Sequence, residues 1–450
     1  MFTRISRTMP APKLRGSELM DLSILLLVGV FAVLLLSNVP ISISIGLATL
    51  ATMLVTIDAT PAMTTMAQRM AGGINGFALL AIPFFILSGI LMGHGGIAKR
   101  LIDFAKSLLG ALPGGLALVN IISSTLFGAI SGSAVAATSA IGGFMIPAMK
   151  KEGYDPAFSA ATSVTASTTG MLIPPSNILI IYSLASGGVS IAALFIAGYV
   201  PGLLVAFALM IVCSIYAKRN NYPVGERSTL GEIVRTGLAA VPALFLIFLV
   251  IGGILGGIFT ATEAGAIAVL YALLLSVGIY REVKPADLPK ILLKSAETTA
   301  VVMLLIAASS AMSWIMSYTN IPQDLSALML SLSDNPIVIL LMINLILLMV
   351  GTFMDMTPAV LIFTPIFLPI AETLGISPLQ FGIMMVLNLC IGLCTPPVGS
   401  VLFVGCGIAK TSIQQIVRPI LPMYAAMVAV LALVTFIPAL SEWLPSVFGL

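Results

Sequence analysis

The sequence predicts an all-α polytopic membrane protein made of two inverted repeats. Three observations support this: the composition, an internal Gly/Pro repeat and the distribution of basic residues. The chain has 450 residues, of which 59% are hydrophobic and 8% are charged, and its mean hydropathy is +1.15. Soluble domains average about 25% charged residues. The composition therefore leaves no room for a large soluble domain and favours a chain that crosses a membrane many times.

An internal repeat is evident from six glycine or proline identities, each separated by 222 residues. The matched pairs are Pro147 and Pro369, Gly153 and Gly375, Pro156 and Pro378, Gly170 and Gly392, Pro174 and Pro396, and Pro175 and Pro397. Two consecutive prolines interrupt an α-helix because they lack N–H donors and clash with the preceding turn. Paired helix breaks in the two halves of a duplicated membrane chain are typical of the substrate and ion site of a transporter. The breaks therefore predict a secondary transporter.

The apolar stretches predict one transmembrane transporter domain, residues 21–450, after an N-terminal extension of residues 1–20. A membrane crossing needs about twenty apolar residues. The predicted parts of the domain are repeat 1 at about 22–186, a connecting span at 191–216, repeat 2 at about 240–408 and a final span at 420–440. Each repeat is expected to contain spans, a hairpin and a broken helix. In repeat 1 the spans are expected at 22–37, 41–56 and 77–94.

The first hairpin is predicted at 112–149, with Ser131 and Ser133 at its tip. Lys106 precedes this segment and Lys150-Lys151 follows it. Cytoplasmic loops of membrane proteins carry an excess of basic residues. Both ends of the segment are therefore predicted to be cytoplasmic, which makes it a re-entrant hairpin or a pair of short spans.

The second hairpin is predicted at 337–370, and its tip runs from Gly351 to Asp355. The basic segment Arg281 to Lys294 is predicted to be a cytoplasmic loop, and no Lys or Arg lies between Lys294 and Lys410. By the same rule this hairpin should open to the outside. The charge distribution thus predicts that the two repeats are inverted, independently of the Gly/Pro identities.

Asp355 is the acidic residue expected to lie deepest in the membrane. An ionised carboxylate there costs at least about 2.5 kcal/mol unless it is paired, so a bound cation is a suitable partner. The alternative is that Asp355 caps a helix beginning near Thr357-Pro358. Both roles are compatible, because a carboxylate has two oxygens.

The helix breaks supply further oxygen atoms for a hard cation such as Na⁺. Hard cations prefer several oxygen ligands, and unwound backbone carbonyls provide them without adding buried charge. The carbonyl groups in question are those of Gly170, Ile173 and Pro174 in the first break and of Gly392, Thr395 and Pro396 in the second. The hairpin tips would complete two pseudo-symmetric sites. The alternative is that the small residues near the breaks only allow helices to pack closely.

The half-helices that begin after the interruptions predict an anion site. Helix N-termini present unpaired N–H groups and the positive end of the helix dipole. Ser176 and Asn177 begin one half-helix, Thr357 begins a helix after the second hairpin tip, and the hydroxyls of Thr168 and Thr169 precede the first break. These groups could hold a carboxylate substrate without a buried arginine.

The remaining candidates for chemistry have simpler interpretations. His94, the only histidine, is expected at the membrane interface, and Glu263 is expected to stabilise a helix start. The four cysteines lie in apolar spans and are predicted to be buried thiols rather than zinc ligands. No catalytic residue, no metal other than sodium and no nucleic-acid partner is predicted.

Four motifs resemble the large membrane subunit of the tripartite ATP-independent periplasmic (TRAP) transporters. They are Gly128-Ala129-Ile130-Ser131-Gly132-Ser133, Leu172-Ile173-Pro174-Pro175-Ser176, Gly392-Leu393-Cys394-Thr395-Pro396-Pro397-Val398-Gly399 and the Phe259-to-Glu263 segment. The similarity extends over nearly all of residues 20–450. It implies Na⁺-driven uptake of an organic acid across a bacterial inner membrane by an elevator movement of a core against a scaffold. It also implies two partners: a small four-span membrane subunit and a soluble periplasmic substrate-binding protein.

The resemblance also assigns the sodium ligands. One site would contain Ser131, Ser133, Gly170, Ile173 and Pro174, and the other Gly351, Asp355, Gly392, Thr395 and Pro396. A stand-alone divalent-anion:sodium symporter is the nearest alternative, and an intramembrane hydrolase or a channel is less favoured. C4-dicarboxylates, sialic acids and sugar acids all remain open as substrates.

Overall fold

The computed structural model describes residues 16–37, 39–333, 335–396 and 399–450. Most of the predicted extension 1–20 lies outside the described residues, as does Pro397 of the second break. All regular elements of the described segments are helical. The predicted all-α fold is therefore confirmed for this part of the chain.

The first half of the chain forms ten α-helices and is followed by a long connecting helix, α11 (Ile191–Arg219). The ten are α1 (Gly16–Leu36), α2 (Ile41–Thr56), α3 (Ala59–Gly73), α4 (Ala81–His94), α5 (Ile97–Leu109), α6 (Gly115–Ser131), α7 (Ala134–Ala137), α8 (Gly143–Lys151), α9 (Pro156–Thr169) and α10 (Asn177–Ala185). A 3₁₀ turn, Phe77–Leu80, leads into α4, and a π-helical turn, Thr138–Gly142, joins α7 and α8 into one arm.

The second half forms a matching series and ends with two further helices. Its members are α12 (Leu230–Leu255), α13 (Ala261–Leu273), α14 (Leu288–Tyr318), α15 (Ile321–Leu332), α16 (Pro336–Phe353), α17 (Met356–Thr373), α18 (Pro378–Cys394), α19 (Ser400–Ala409), α20 (Ile413–Phe436) and α21 (Ala439–Val447). The π-helical turn Leu274–Ile279 extends α13, and the 3₁₀ turn Pro285–Asp287 precedes α14.

The helices of the two halves follow the 222-residue spacing closely. In each hairpin, the arm that follows the tip has the same length: it covers residues 134–151 in the first half and 356–373 in the second. Pro156 and Pro378 both begin a helix, where a missing N–H costs nothing. Gly153 and Gly375 precede them with φ of 85° and 82°, a conformation that glycine adopts without strain. The predicted duplication is thus visible in the backbone.

Eight helical segments among the described residues are long and apolar enough to cross a membrane. Their outward surfaces carry many large apolar side chains; Phe248 is 73% exposed and Leu238 is 67% exposed. A water-soluble monomer rarely exposes so much apolar surface. Lipid-facing helices do so as a rule, and this observation agrees with a multi-pass membrane protein.

The helices form two groups, which we call the outer group and the central group. The outer group contains α1–α4 and α12–α14; the central group contains α6–α11 and α16–α21. Two short helices connect the groups: α5 contacts α6 and α12, and α15 contacts α14 and α17. The connecting helix α11 and the late helix α20 pack against the broken helices, so both belong to the central group.

Several boundaries differ from the sequence expectations. Helix α1 already begins at Gly16 and continues past residue 20. The second repeat begins with α12 at Leu230, about three helical turns before the expected position near residue 240. The final span ends at Phe436 and a separate helix starts at Ala439. Pro438 explains this end, because a proline cannot donate the backbone hydrogen bond that a continuing helix needs.

Candidate functional site

In the first half, the hairpin packs against the broken helix through two glycines. A Cβ atom at Gly170 would lie 2.5 Å from Cα of Gly128 and 2.7 Å from the amide nitrogen of Ala129. Because α6 ends at Ser131 and α9 ends at Thr169, this contact brings two helix C-termini together. Helix C-termini carry unpaired carbonyls and the negative end of the dipole, so their convergence favours a cation.

The second half repeats this arrangement. A Cβ atom at Gly392 would lie 2.5 Å from both Cα and the carbonyl carbon of Gly351. Here α16 ends at Phe353 and α18 ends at Cys394. A second pair of helix C-termini therefore converges, as the internal repeat predicts.

Buried amides strengthen each of these contacts. Asn120 of α6 donates a hydrogen bond of 2.6 Å to the Ser163 hydroxyl of α9. In the other half, Asn388 of α18 donates to the backbone carbonyl of Asn344 of α16 at 2.8 Å. Each hairpin is thereby fixed to its own broken helix by a polar contact inside an apolar environment.

The N-terminal ends of the half-helices lie at the hairpin tips. A Cβ atom at Gly132, where φ is 61°, would lie 2.7 Å from Nδ2 of Asn177, the first residue of α10. In the second half, the amide of Gly399, directly before α19, donates to the carbonyl of Thr352 at 3.3 Å. Each half thus places an N-terminus, which favours an anion, beside a pair of C-termini, which favours a cation.

Two first residues of half-helices carry unpaired buried oxygens. Oδ1 of Asn177 and Oγ of Ser400 are buried and have no hydrogen-bond partner among the described residues. The Ser131 hydroxyl has only a long contact of 3.5 Å to the carbonyl of Ser133. Buried polar atoms are normally hydrogen bonded, so these oxygens are available to a ligand. An oxygen-only donor set of this kind fits a hard cation such as Na⁺.

Asp355 occupies the N-cap position of α17 but makes no capping hydrogen bond to that helix. Its side chain is exposed to the interior cavity described below. The one ion pair within the described part of the chain joins Arg100 to Glu282, so no described cation pairs with Asp355. The structure therefore places at the second hairpin tip a carboxylate that has no cationic partner among the described residues, and its one backbone contact is to the amide of Met356, the first residue of α17.

A cavity of about 700 Å³ lies between the central and outer groups. Its volume is within the range of small-molecule sites, about 300–1,000 Å³. Among the residues of the central group that line it are Ser131, Ser133, Asn177, Asp355 and Thr357. The outer group contributes residues of α4 and α14 to the opposite wall, among them His94, Lys294, Thr298 and Val302. Both hairpin tips and the start of α10 therefore face one space.

Three of the predicted substrate residues lie away from this cavity. Thr168 and Thr169 are buried, and their hydroxyls donate to carbonyls of the preceding helical turn at 2.9 and 2.6 Å. The Ser176 hydroxyl is buried and donates to the carbonyl of Met171 at 2.5 Å. These hydroxyls satisfy the backbone of the break itself, so among the predicted substrate residues only Asn177 and Thr357 line the cavity.

The predicted carbonyl ligands differ between the two breaks: the Gly392 carbonyl lies within α18 and accepts from the Thr395 amide at 2.9 Å. The carbonyls of Gly170, Ile173 and Pro174 accept no hydrogen bond from the described residues. Thr395 uses its hydroxyl to donate to the carbonyl of Ile391 at 2.7 Å, and Pro396 is the last described residue before residue 399. The first break therefore offers free acceptor groups close to the paired helix ends.

Sequence reasoning missed four residues of this region. Gly128 was not recognised as the partner of Gly170, although the repeat implies such a contact. Ser400 could have been found from the repeat, because it lies one residue beyond the position equivalent to Asn177. Lys294 was assigned to a cytoplasmic loop and His94 to the interface, but both line the cavity.

The interpretation of Glu263 as a helix-start residue is confirmed. The Thr260 hydroxyl accepts from the Glu263 amide at 3.3 Å, and the Glu263 carboxylate accepts from the Thr260 amide at 2.8 Å. This reciprocal pair is a capping box at the start of α13. Glu263 does not line the cavity between the groups.

The fold and the cavity define a multi-pass α-helical membrane protein with two structural repeats around a shared polar site. The chain matches the family model "Tripartite ATP-independent periplasmic transporter, DctM component" over residues 28–440, and it belongs to this family. It is 54% identical over 426 residues to the uncharacterized protein YgiK of Salmonella typhimurium, with 95% of this chain and 98% of that protein covered. It is 39% identical to the C4-dicarboxylate TRAP transporter large permease protein DctM of Rhodobacter capsulatus, covering 95% of this chain and all of the relative. The resemblance to TRAP large subunits is therefore confirmed.

The fold is also similar to a solved structure. The Alcanivorax borkumensis YdaH transporter superposes with a TM-score of 0.60, covering 87% of this chain and 90% of that chain. The sequence identity is 16%, so this likeness concerns the fold alone. It agrees with the helical architecture described above.

Proposed function

We propose that this chain is the large membrane subunit of a transporter that couples Na⁺ entry to the uptake of an organic acid across a bacterial inner membrane. The observation that carries the proposal is the cavity, in which both hairpin tips, the start of α10 and the carboxylate of Asp355 come together. Paired interruptions of this kind provide ion and substrate sites in secondary transporters. The proposed reaction moves solutes and makes no covalent bond.

Two Na⁺ sites are proposed at the two converging pairs of helix C-termini. The first would use Ser131, Ser133, Asn177 and the free carbonyls of the first break, Gly170, Ile173 and Pro174. The second would use Asp355, Ser400 and the carbonyls of Gly351, Gly392, Thr395 and Pro396. The unpaired Oδ1 of Asn177 and the three carbonyls of the first break support the first site, whereas the Ser133 hydroxyl also caps α7 by accepting from the Ala136 amide. A carboxylate without a cationic partner supports the second site. Bound Na⁺ would neutralise Asp355 and so remove its repulsion of an incoming anion.

The acid is proposed to bind beside these ions at the helix N-termini. Asn177 begins α10 and Thr357 belongs to the first turn of α17, and both line the cavity. Backbone N–H groups and helix dipoles at these ends attract a carboxylate. Because Na⁺ and acid would share the cavity, binding of each would strengthen binding of the other. This thermodynamic coupling is the basis of symport.

Transport is proposed to follow an elevator movement in which the central group slides against the outer group. The central group carries the two breaks and both hairpin tips, whereas the outer group forms the opposite wall of the cavity. The proposal includes the inverted orientation of the repeats and the re-entrant course of the hairpins that the charge distribution predicts. Lys294 lines the cavity and is predicted to lie on the cytoplasmic side of the membrane. We therefore propose that the cavity opens to the cytoplasm in this conformation.

Two partner proteins are proposed from the family: a small four-span membrane subunit and a soluble periplasmic protein that delivers the substrate. Relatives differ in the substrate that their names give. Sialic acid is named for a Vibrio cholerae protein and 2,3-diketo-L-gulonate for an Escherichia coli protein. All are organic acids, and we propose this class for the present chain.

The proposed function is tested by uptake of labelled acids into proteoliposomes. This chain is reconstituted with its small membrane subunit, and the soluble partner is added outside. The panel contains succinate, sialic acid and 2,3-diketo-L-gulonate, each with and without an inward Na⁺ gradient. We expect uptake of one acid that needs both the gradient and the soluble partner. Uptake without the soluble partner would instead indicate a stand-alone symporter, and uptake indifferent to Na⁺ would exclude the coupling ion.

Ser131 provides a separate test of the first Na⁺ site. A Ser131→Leu change removes the hydroxyl and places an apolar side chain beside the converging helix ends. We expect Na⁺-dependent uptake to be lost because the first site no longer holds its ion. Ser331→Leu, on the exposed face of α15, serves as the matched control. Normal uptake by the Ser131 variant with an unchanged Na⁺ dependence would refute the first site.

A further inference from the structure

The wall of the cavity formed by the outer group carries a cation that the proposed transport site does not use. Among the described residues that line the cavity, Asp355 carries the one carboxyl group and Lys294 the one amino group. Asp355 belongs to the central group and Lys294 to α14 of the outer group. Lys294 is exposed and forms no ion pair with a described carboxylate. The ammonium group is therefore free to meet a solute in the cavity.

The position of Lys294 on α14 indicates at which end of the cavity its ammonium group lies. Lys294, Thr298 and Val302 all line the cavity and are spaced by four residues, so they lie on one face of the helix. Along this face the side chains change from charged to polar to apolar. The Thr298 hydroxyl donates to the Lys294 carbonyl at 2.9 Å and leaves the ammonium group unengaged. The positive charge thus lies at the end of the cavity near the basic Arg281-to-Lys294 segment.

We propose that Lys294 binds an acidic group of the transported acid while the cavity is open to the predicted cytoplasmic side. This proposal rests on the proposed function. Lys294 belongs to the outer group, so it does not travel with the hairpin tips when the central group moves. Its contact with the acid therefore exists in one of the two transport states only. It increases the affinity of the site for acid on the cytoplasmic side and leaves the opposite side unchanged.

This asymmetry gives Lys294 a measurable signature. Neutralising Lys294 removes one charge-assisted contact from the cytoplasmic state and none from the outward state. The steady-state accumulation ratio is set by the Na⁺ gradient and the stoichiometry, so it does not change. A lysine that only anchors α14 at the membrane surface would show no side-specific effect.

The experiment measures exchange of labelled acid in proteoliposomes that contain this chain with both partner proteins. The acid is the one that the wild type takes up from the panel of succinate, sialic acid and 2,3-diketo-L-gulonate. For Lys294→Gln we expect the half-saturating acid concentration on the cytoplasmic side to rise about tenfold. The outward-side value, the Na⁺ dependence and the accumulation ratio should stay at wild-type levels. Lys294→Arg should retain most of the affinity, and Lys290→Gln, one turn earlier on α14 and outside the cavity, is the matched control.

A labelling experiment tests the proposal without relying on a transport rate. The described cysteines are all buried, so Lys294→Cys introduces one accessible thiol. We expect an anionic methanethiosulfonate reagent to modify it from the cytoplasmic side, and the acid to slow this modification. Absent modification, or modification that acid does not slow, would overturn the proposal, as would a Lys294→Gln variant that matches Lys290→Gln. If the wild type takes up no acid from the panel, the proposed function fails and this proposal fails with it.

Discussion

Replacement of Asp355 by Asn should raise the Na⁺ concentration required for half-maximal uptake by about 100-fold. A neutral amide replaces the charged ligand of the ion, and a 100-fold weaker binding corresponds to about 2.7 kcal/mol of lost charge-assisted contact. Asp355 lines the cavity, has no cationic partner among the described residues and makes no capping bond to α17. The measurement is the Na⁺ activation of acid uptake in proteoliposomes.

The Asn variant distinguishes an ion ligand from a helix cap. Asn and Asp are about equally good at the N-cap position, so Asn should preserve a role in capping α17. Asp355→Glu keeps the charge but displaces the oxygens, and we expect an intermediate Na⁺ requirement. Glu297→Gln is the matched control, because Glu297 is an exposed carboxylate of α14 that does not line the cavity. Wild-type Na⁺ activation of Asp355→Asn would exclude Asp355 as an ion ligand.

Replacement of Gly392 by Ala should destabilise the protein and abolish uptake. The added Cβ would lie 2.5 Å from the Cα and carbonyl carbon of Gly351, and these backbone atoms cannot rotate away as a side chain would. Overpacking of a well-packed interior typically costs about 1–3 kcal/mol and sometimes more. The same displacement would separate the helix ends that form the proposed second Na⁺ site. Thermal unfolding of the purified protein in detergent and Na⁺-dependent uptake measure the two effects.

Gly407→Ala is a matched control for this prediction. Gly407 lies in α19, the half-helix that follows the same break, and a Cβ there would meet no atom within 4 Å. Alanine is favoured over glycine in a helix by about 1 kcal/mol, so this variant should be as stable as the wild type or more stable. An unchanged unfolding temperature for Gly392→Ala would show that the hairpin and the broken helix do not pack as the structure describes.

Much of the architecture could be predicted from the sequence because its signals are local. Proline removes a donor at its own position, and glycine permits a positive φ at its own position. Gly153 and Gly375 therefore mark equivalent turns before any contact is known. The helix break at Pro174-Pro175 and the apolar spans follow from the same kind of local chemistry.

The candidate site could be predicted only in part. Asp355, Ser131 and Asn177 were recognised because each lies next to an interruption of a helix. Thr168 and Thr169 were assigned to the substrate because they also lie near a break, but their hydroxyls bond to the preceding turn. The direction in which a side chain points depends on the rotation of its helix, and proximity in sequence does not determine that rotation.

By itself, the sequence determined the all-helical class, the duplication, the two breaks and the two hairpin tips, since all of these arise from backbone chemistry within short segments. Only the tertiary structure decided which segments meet. It placed Gly128 against Gly170, brought both tips into one cavity and put Lys294 on the opposite wall. Such contacts join residues that are tens to hundreds of positions apart, and they depend on how whole helices pack rather than on any local pattern.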